Sequence, residues 1–145
     1  MTTLAGHCHC GAIRVEIEPG GAVENLALRA CQCGFCRRHG ARTTSAPHGR
    51  LHIEAAPGVL NRYRFGARAV EALLCEECGV YVASVLQSDD GRLLATLNVA
   101  GVDLQGFGGR SVEPVSYEHE TPDERLARRK ARWTPAVLVE ALPSA

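Results

Sequence analysis

Over Ala12–Glu18 apolar and charged residues alternate, Ala-Ile-Arg-Val-Glu-Ile-Glu, which is the two-residue period of a strand with one face buried and the other in water. Pro19-Gly20-Gly21 ends the run. Leu26 to Ala30 reads as a second short strand that delivers the chain into Cys31. Arg42 to Ala46, Leu51 to Glu54 and Leu60 to Phe65 follow, each bounded by proline or glycine at Pro47, Gly49, Pro57-Gly58 and Gly66. Ala69 to Leu74 runs into Cys75 and Val80 to Leu86 leaves Cys78, so two strands flank a Cys-x-x-Cys in the manner of a zinc-ribbon hairpin. Ser88-Asp89-Asp90-Gly91 turns the chain into Arg92 to Val99, and Val102-Asp103-Leu104 is expected to continue extended. The pattern predicts a mostly β fold of short antiparallel sheets, without internal repeats.

A single segment carries good helix chemistry. Thr121-Pro122-Asp123-Glu124 supplies a hydroxyl N-cap, proline at the first helical position and the glutamate of a capping box, and the helix should run to about Arg132. Arg128, Arg129, Lys130 and Arg132 fall in its last turns, where the helix dipole favours cations, and read as a solvated face.

At 145 residues the chain is expected to be one domain, residues 1–145, with a core over about 4–118 and a C-terminal helical tail over about 119–145. Hydrophobic residues make up 46% but aromatic ones only 5%, so the core must be built from Val, Leu, Ile and Ala, and metal is a natural supplement. Lys+Arg and Asp+Glu are 16 each, for a formal net charge of zero, which argues against a nucleic-acid or membrane partner held by bulk charge. The first residues lack a basic, then apolar, leader pattern, no run is long enough to span a bilayer, and a cytoplasmic protein is expected. Nothing in the sequence sets an oligomeric state.

The seven cysteines change the picture most. An odd number of closely spaced thiols suits metal binding better than a disulfide framework. Cys75-x-x-Cys78-Gly79 has knuckle spacing and needs a second pair, which Cys8-x-Cys10-Gly11 provides, giving a structural zinc on Cys8, Cys10, Cys75 and Cys78. Closing so long a loop costs about 4 kcal/mol, against ~10–16 kcal/mol from a structural zinc. Cys31, Cys33 and Cys36 remain, one ligand short of a closed tetrahedron, with Gly34 expected to turn the backbone between the thiols. Zinc held by three thiolates is a weak Lewis acid, better suited to binding an incoming thiol than to activating water. Arg37, Arg38 and Arg42 are candidates for the carboxylates of such a thiol. Two alternatives stand beside this one. A histidine, His39 first and then His7, His9, His48 or His52, would close the triad into a second structural zinc, and a Cys33/Cys36 redox pair would need a thioredoxin-like βαβ setting that the pattern does not supply.

Gly6-His7-Cys8-His9-Cys10-Gly11, Cys31-Gln-Cys-Gly-Phe-Cys-Arg-Arg38 and Leu74-Cys75-Glu-Glu-Cys78-Gly79 resemble the three motifs of the glutathione-dependent formaldehyde-activating enzyme and centromere protein V family of zinc proteins. Leu60-Asn-Arg-Tyr63 and Leu97-Asn-Val-Ala-Gly-Val-Asp103 are similar to its weaker signatures, so the likeness spans roughly residues 6 to 105. The resemblance implies a β-tent fold, a structural zinc on the four outer cysteines and a catalytic zinc on Cys31, Cys33 and Cys36, hence two zinc ions per chain. It implies a carbon–sulfur lyase or synthase that condenses formaldehyde with glutathione, its cosubstrate, to S-hydroxymethylglutathione. The partners would be a small-molecule thiol and an aldehyde, with no nucleic acid and no membrane. The sequence departs from the family at Gly34, where serine is common, at Leu74, where an aromatic residue is common, and in its added tail. A non-catalytic scaffold with two structural zincs and a thiol redox or aldehyde-handling protein remain as alternative functions.

Overall fold

The computed structural model describes residues 2–141, so the last residues of the expected tail, 142–145, lie outside the described residues. Eleven strands and three α-helices are found among them, with one 3-10 turn at Val23–Asn25: β1 (Leu4–His7), β2 (Ile13–Glu18), β3 (Arg29–Cys31), α1 (Gly34–His39), β4 (Thr43–Thr44), β5 (Arg50–Ala55), β6 (Leu60–Tyr63), β7 (Glu71–Cys75), β8 (Tyr81–Gln87), β9 (Leu93–Asn98), α2 (Val99–Val102), β10 (Glu113–Val115), α3 (Pro122–Arg132) and β11 (Thr134–Glu140). The fold is mostly β, as the pattern predicts. No helix among the described residues is long and apolar enough to cross a membrane.

The alternation in β2 does what it promises. Ile13, Val15 and Ile17 are buried while Arg14 and Glu16 face water, and antiparallel pairing sets these three against Ala55, Ile53 and Leu51 of β5, all buried in turn. Such same-face pairs are the unit by which a sheet gains stability. Strand β8 is different: six of its seven residues are buried, because β7 and β9 flank it and both its faces are covered. β1, β2 and β5 form one end of the strand order, and β6 to β9 with β4, β3 and β10 form the other.

β11 joins the two. Thr134 and Pro135 pair antiparallel with Ala95 and Leu94 of β9, and from Ala136 to Glu140 the same strand runs parallel to Leu51–Ala55 of β5. Pro135, which has no N–H to give a ladder, sits where the strand changes partners. The tail is therefore not helical to its end. α3 runs to Arg132 with the expected capping box, and the chain then returns to the sheet. Trp133 at the junction packs with Leu86 and Leu94.

Two local expectations are corrected. Val102-Asp103-Leu104 does not continue extended: Val99–Val102 is one turn of helix, ended by Asp103 at φ 49°. Asn98 stops the strand by turning its side chain to the backbone, accepting from Arg42 N–H at 3.1 Å and donating to Tyr81 C=O at 2.8 Å. Gly34 is not a turn residue but the first residue of α1, outside the left-handed region, and a Cβ there would meet Arg38 Nη1 at 2.9 Å.

Candidate functional site

The four outer cysteines converge at the junction of β1 and β7. After β1 the chain makes a tight turn in which Gly11, at φ 83°, donates its N–H to Cys8 C=O, and Ile13 N–H donates to Cys8 Sγ at 3.3 Å. β7 ends in the matching turn, where Gly79 at φ 79° donates to Cys75 C=O. The four sulfurs lie within 4.8 Å of one another, with Cys8 to Cys10 at 3.8 Å and Cys10 to Cys75 at 3.6 Å. Sulfurs about 2.3 Å from a tetrahedral zinc stand about 3.8 Å apart, so this donor set fits zinc. Cys8 and Cys75 are buried in the main core. Burial pushes the Cys75 thiol up to about 12; it pushes Cys78 the same way, but backbone N–H groups from Cys10 and Val80 outweigh it and bring that thiol down to about 6. Thiols and thiolates crowded together in this way are what a divalent cation resolves.

The inner triad is local. β3 ends on Cys31, Cys33 is the N-cap of α1 with its Sγ accepting from Cys36 N–H at 3.3 Å, and Cys36 lies in the first turn of that helix. Their sulfurs also fall within 4.8 Å of one another, and no histidine or carboxylate joins them among the described residues. His39 does not close the site: its ring packs against Phe35 and Tyr81, with centroids 4.5 and 5.6 Å away. A hydrogen bond from Cys36 brings the Cys31 thiol down to about 5, with burial opposing, while Cys36 is raised by the same bond. Three convergent sulfurs fit three vertices of a zinc tetrahedron and leave one free.

That free side faces a cavity of about 330 Å³. All three cysteines line it, together with Phe35, Phe65 and Tyr81 on one wall. The four-cysteine cluster does not. Tyr81 is buried, which raises its hydroxyl above the ordinary phenol range, and it hydrogen-bonds Ser84 Oγ at 2.5 Å.

None of the three arginines expected to receive the thiol's carboxylates lines this space. Arg37 Nε donates to Gln32 C=O at 3.1 Å, Arg38 Nη1 to Gly34 C=O at 2.9 Å and Arg42 Nη2 to Arg110 C=O at 3.0 Å. The cavity's own arginines are Arg29 and Arg68 together with Arg125, Arg128, Arg129 and Arg132 of α3. The solvated face expected of α3 is thus corrected in part: Arg125, Arg128 and Arg129 are half-buried at the cavity, while Arg132 stays exposed, as does Leu126. Glu120 and Tyr117 hold it so. Glu120 accepts from Arg128 Nε and Nη2 at 2.8 and 3.0 Å, Arg125 Nε lies 3.7 Å from the same carboxylate, and the Arg128 guanidinium sits 3.5 Å from the Tyr117 ring centroid. The Arg128 hydrogen bond keeps the Glu120 carboxyl below the usual carboxylate range. A signal was present in the sequence, because positions 125, 128, 129 and 132 recur at helical spacing and form one stripe.

A family model described as glutathione-dependent formaldehyde-activating enzyme matches residues 3–116, most of the chain. A crystal structure of a Rhodobacter sphaeroides protein is 30% identical, with a TM-score of 0.58, over 77% of this chain and 99% of the other. α3 and β11 lie beyond the residues that the family model covers.

Proposed function

The chain belongs to the glutathione-dependent formaldehyde-activating enzyme family, and on that premise we propose that it is a zinc-dependent enzyme joining a small aldehyde to a thiol, formaldehyde to glutathione in the reaction that gives the family its name. The observation that supports this reading most is the contrast between the two cysteine clusters. The set of four is complete and away from the cavity, whereas the set of three opens into it. Cys8, Cys10, Cys75 and Cys78 would hold a structural zinc, and Cys31, Cys33 and Cys36 a catalytic one. Zinc bound by three thiolates supplies a position at which a fourth thiol is held deprotonated near neutral pH.

The reaction asks little else of the protein. The thiol sulfur bonds to the aldehyde carbon, the carbonyl π bond opens, and the proton given up by the thiol ends on the new hydroxyl; the reverse is a carbon–sulfur lyase step. The enzyme gains rate by placing the two reactants together in one cavity. Phe35, Phe65 and Tyr81 provide the apolar side of that space. The Tyr81 hydroxyl, kept protonated by its burial and paired with Ser84 at the cavity wall, is the donor we assign to the aldehyde oxygen as charge develops there. Arg37, Arg38 and Arg42, bonded to backbone carbonyls, support the α1 region and its neighbours in this scheme rather than the substrate.

Metal analysis and a formaldehyde assay test the reading together. Protein purified under reducing conditions is expected to carry two zinc ions per chain and to accelerate loss of free formaldehyde only when glutathione is present. One zinc with three readily alkylated thiols, or two zincs with no glutathione-dependent loss of formaldehyde, would overturn it, the second in favour of a scaffold.

A further inference from the structure

The cavity is far more basic than the chain. The protein as a whole has a formal net charge of zero, yet six arginines line this one space and Glu118 alone opposes them among its acidic residues. Two of the six already have a counter-charge, since Glu120 takes Arg128 through two hydrogen bonds and stands 3.7 Å from Arg125. Arg129, beside them on α3, does not share it. No carboxylate pairs with Arg129 among the described residues, and its Nε is buried without a hydrogen-bond partner. The Trp133 ring, 5.3 Å from its guanidinium carbon, gives only partial compensation. Burial and then the neighbouring Arg128 and Arg125 bring its pKa down to about 10, which leaves it charged at neutral pH.

A half-buried guanidinium without a carboxylate is costly, and one that lines a cavity is offset by an anion held in that cavity. The acceptor must be negative, because the surrounding charge is positive. It should also be planar and two-pronged, because that is the shape the guanidinium fork fits. The triad meanwhile lines the same cavity as these arginines. A ligand reaching from the triad to α3 therefore carries sulfur at one end and a carboxylate at the other.

We propose that α3 is the acid-recognising wall of the site, with Arg129 receiving a carboxylate of the thiol substrate, so that the cavity takes acidic thiols in preference to neutral ones. This rests on the thiol-binding reading given above and adds a selectivity to it. The wall belongs to a segment outside the family match over residues 3–116.

The test uses cobalt(II)-substituted protein, whose thiolate-to-cobalt and d–d bands report ligation of a thiol without any turnover. Reduced glutathione, its diethyl ester and 2-mercaptoethanol are titrated separately into the wild type, R129Q and R129K. The wild type should bind the acid about tenfold more tightly than the ester, the scale of one charge-assisted hydrogen bond. R129Q should lose that preference while its affinity for 2-mercaptoethanol stays the same, and R129K, which keeps the charge but not the fork, should retain part of it. If R129Q does not fold, R129K decides, a reduced preference supporting the proposal and an unchanged one overturning it. A wild type with no preference, or an R129Q protein that keeps it, overturns the role of Arg129 and leaves thiol binding standing. Spectra that ignore every thiol overturn the thiol-binding reading and this assignment with it.

Discussion

Serine in place of Cys8 and serine in place of Cys33 each remove one sulfur from a proposed zinc site, yet they should have very different effects on stability. A metal joining Cys8 to Cys75 closes a long loop, and on the chain-entropy scale for cross-links its loss costs about 4 kcal/mol, whereas the short loop from Cys31 to Cys36 is worth about 2. Local chemistry widens the gap. Cys8 is fully buried in the main core and its sulfur accepts the Ile13 N–H, so a hydroxyl there, with its shorter reach, adds about 1–3 kcal/mol of poorly satisfied polar groups. Cys33 is exposed and serves as the N-cap of α1, a position where serine is among the preferred residues. Cys8→Ser should thus lose about 5 kcal/mol or more, most of the stability of an ordinary domain, and Cys33→Ser no more than about 2. At roughly 3 °C per kcal/mol for a chain of this size, the Tm should fall by about 15 °C or more in the first variant and by about 6 °C or less in the second. Calorimetric melts in zinc-replete, reducing buffer, with metal content measured on the same samples, give the comparison. Equal falls in Tm would refute the reasoning, because they would mean that both sites brace the fold to the same degree.

Other substitutions test the supports around the site. Glu120→Gln should destabilise by about 1–3 kcal/mol by leaving Arg128 and Arg125 without their shared carboxylate. Because the folded protein holds Glu120 below its usual range, its contribution is complete above the unfolded carboxylate pKa, near 4, and is lost as pH falls through the lowered value, so melts against pH should show the wild-type advantage shrinking below about pH 4; a constant difference down to strong acid would argue against the pairing. Gly101→Ala should cost about 1–3 kcal/mol, since its Cβ would stand 2.3 Å from Tyr81 O, and an unchanged Tm would mean that α2 yields more easily than its packing against β8 implies.

What the sequence disclosed depended on whether neighbours were needed to interpret it. β2 and β5 were legible because water on one face writes the alternation into the chain itself. The division of seven cysteines into four and three was legible for a similar reason: thiol spacing is local, and the pairs and the triad are each compact in sequence. β11 was not, because Thr134–Glu140 is a nearly continuous apolar run placed directly after a helix, and its two partners, β9 and β5, are remote in sequence. α1 was hidden by its cap, since a cysteine at that position reads as a ligand before it reads as a helix start. The arginines of α3 were misjudged because charge at helical spacing ordinarily faces solvent. Glu120 and Tyr117, which precede the helix, hold that face inward, and nothing in their own types announces it.

The position of β11 bears on how the protein is made. Every other strand described here leaves the ribosome before it, including β5 and β9, which it later ties together. Until then β5 presents an edge along Leu51–Ala55, a row of unpaired backbone groups that is an open template for a second nascent chain. The polar side chains of Arg50, His52 and Glu54 on the other face of that strand then act as guards during the wait. α3, made just before β11, lines the cavity with the cysteine triad, so a chain caught midway through synthesis has all seven cysteines but no wall opposite the triad, and the acid selectivity proposed for that wall is acquired only after them.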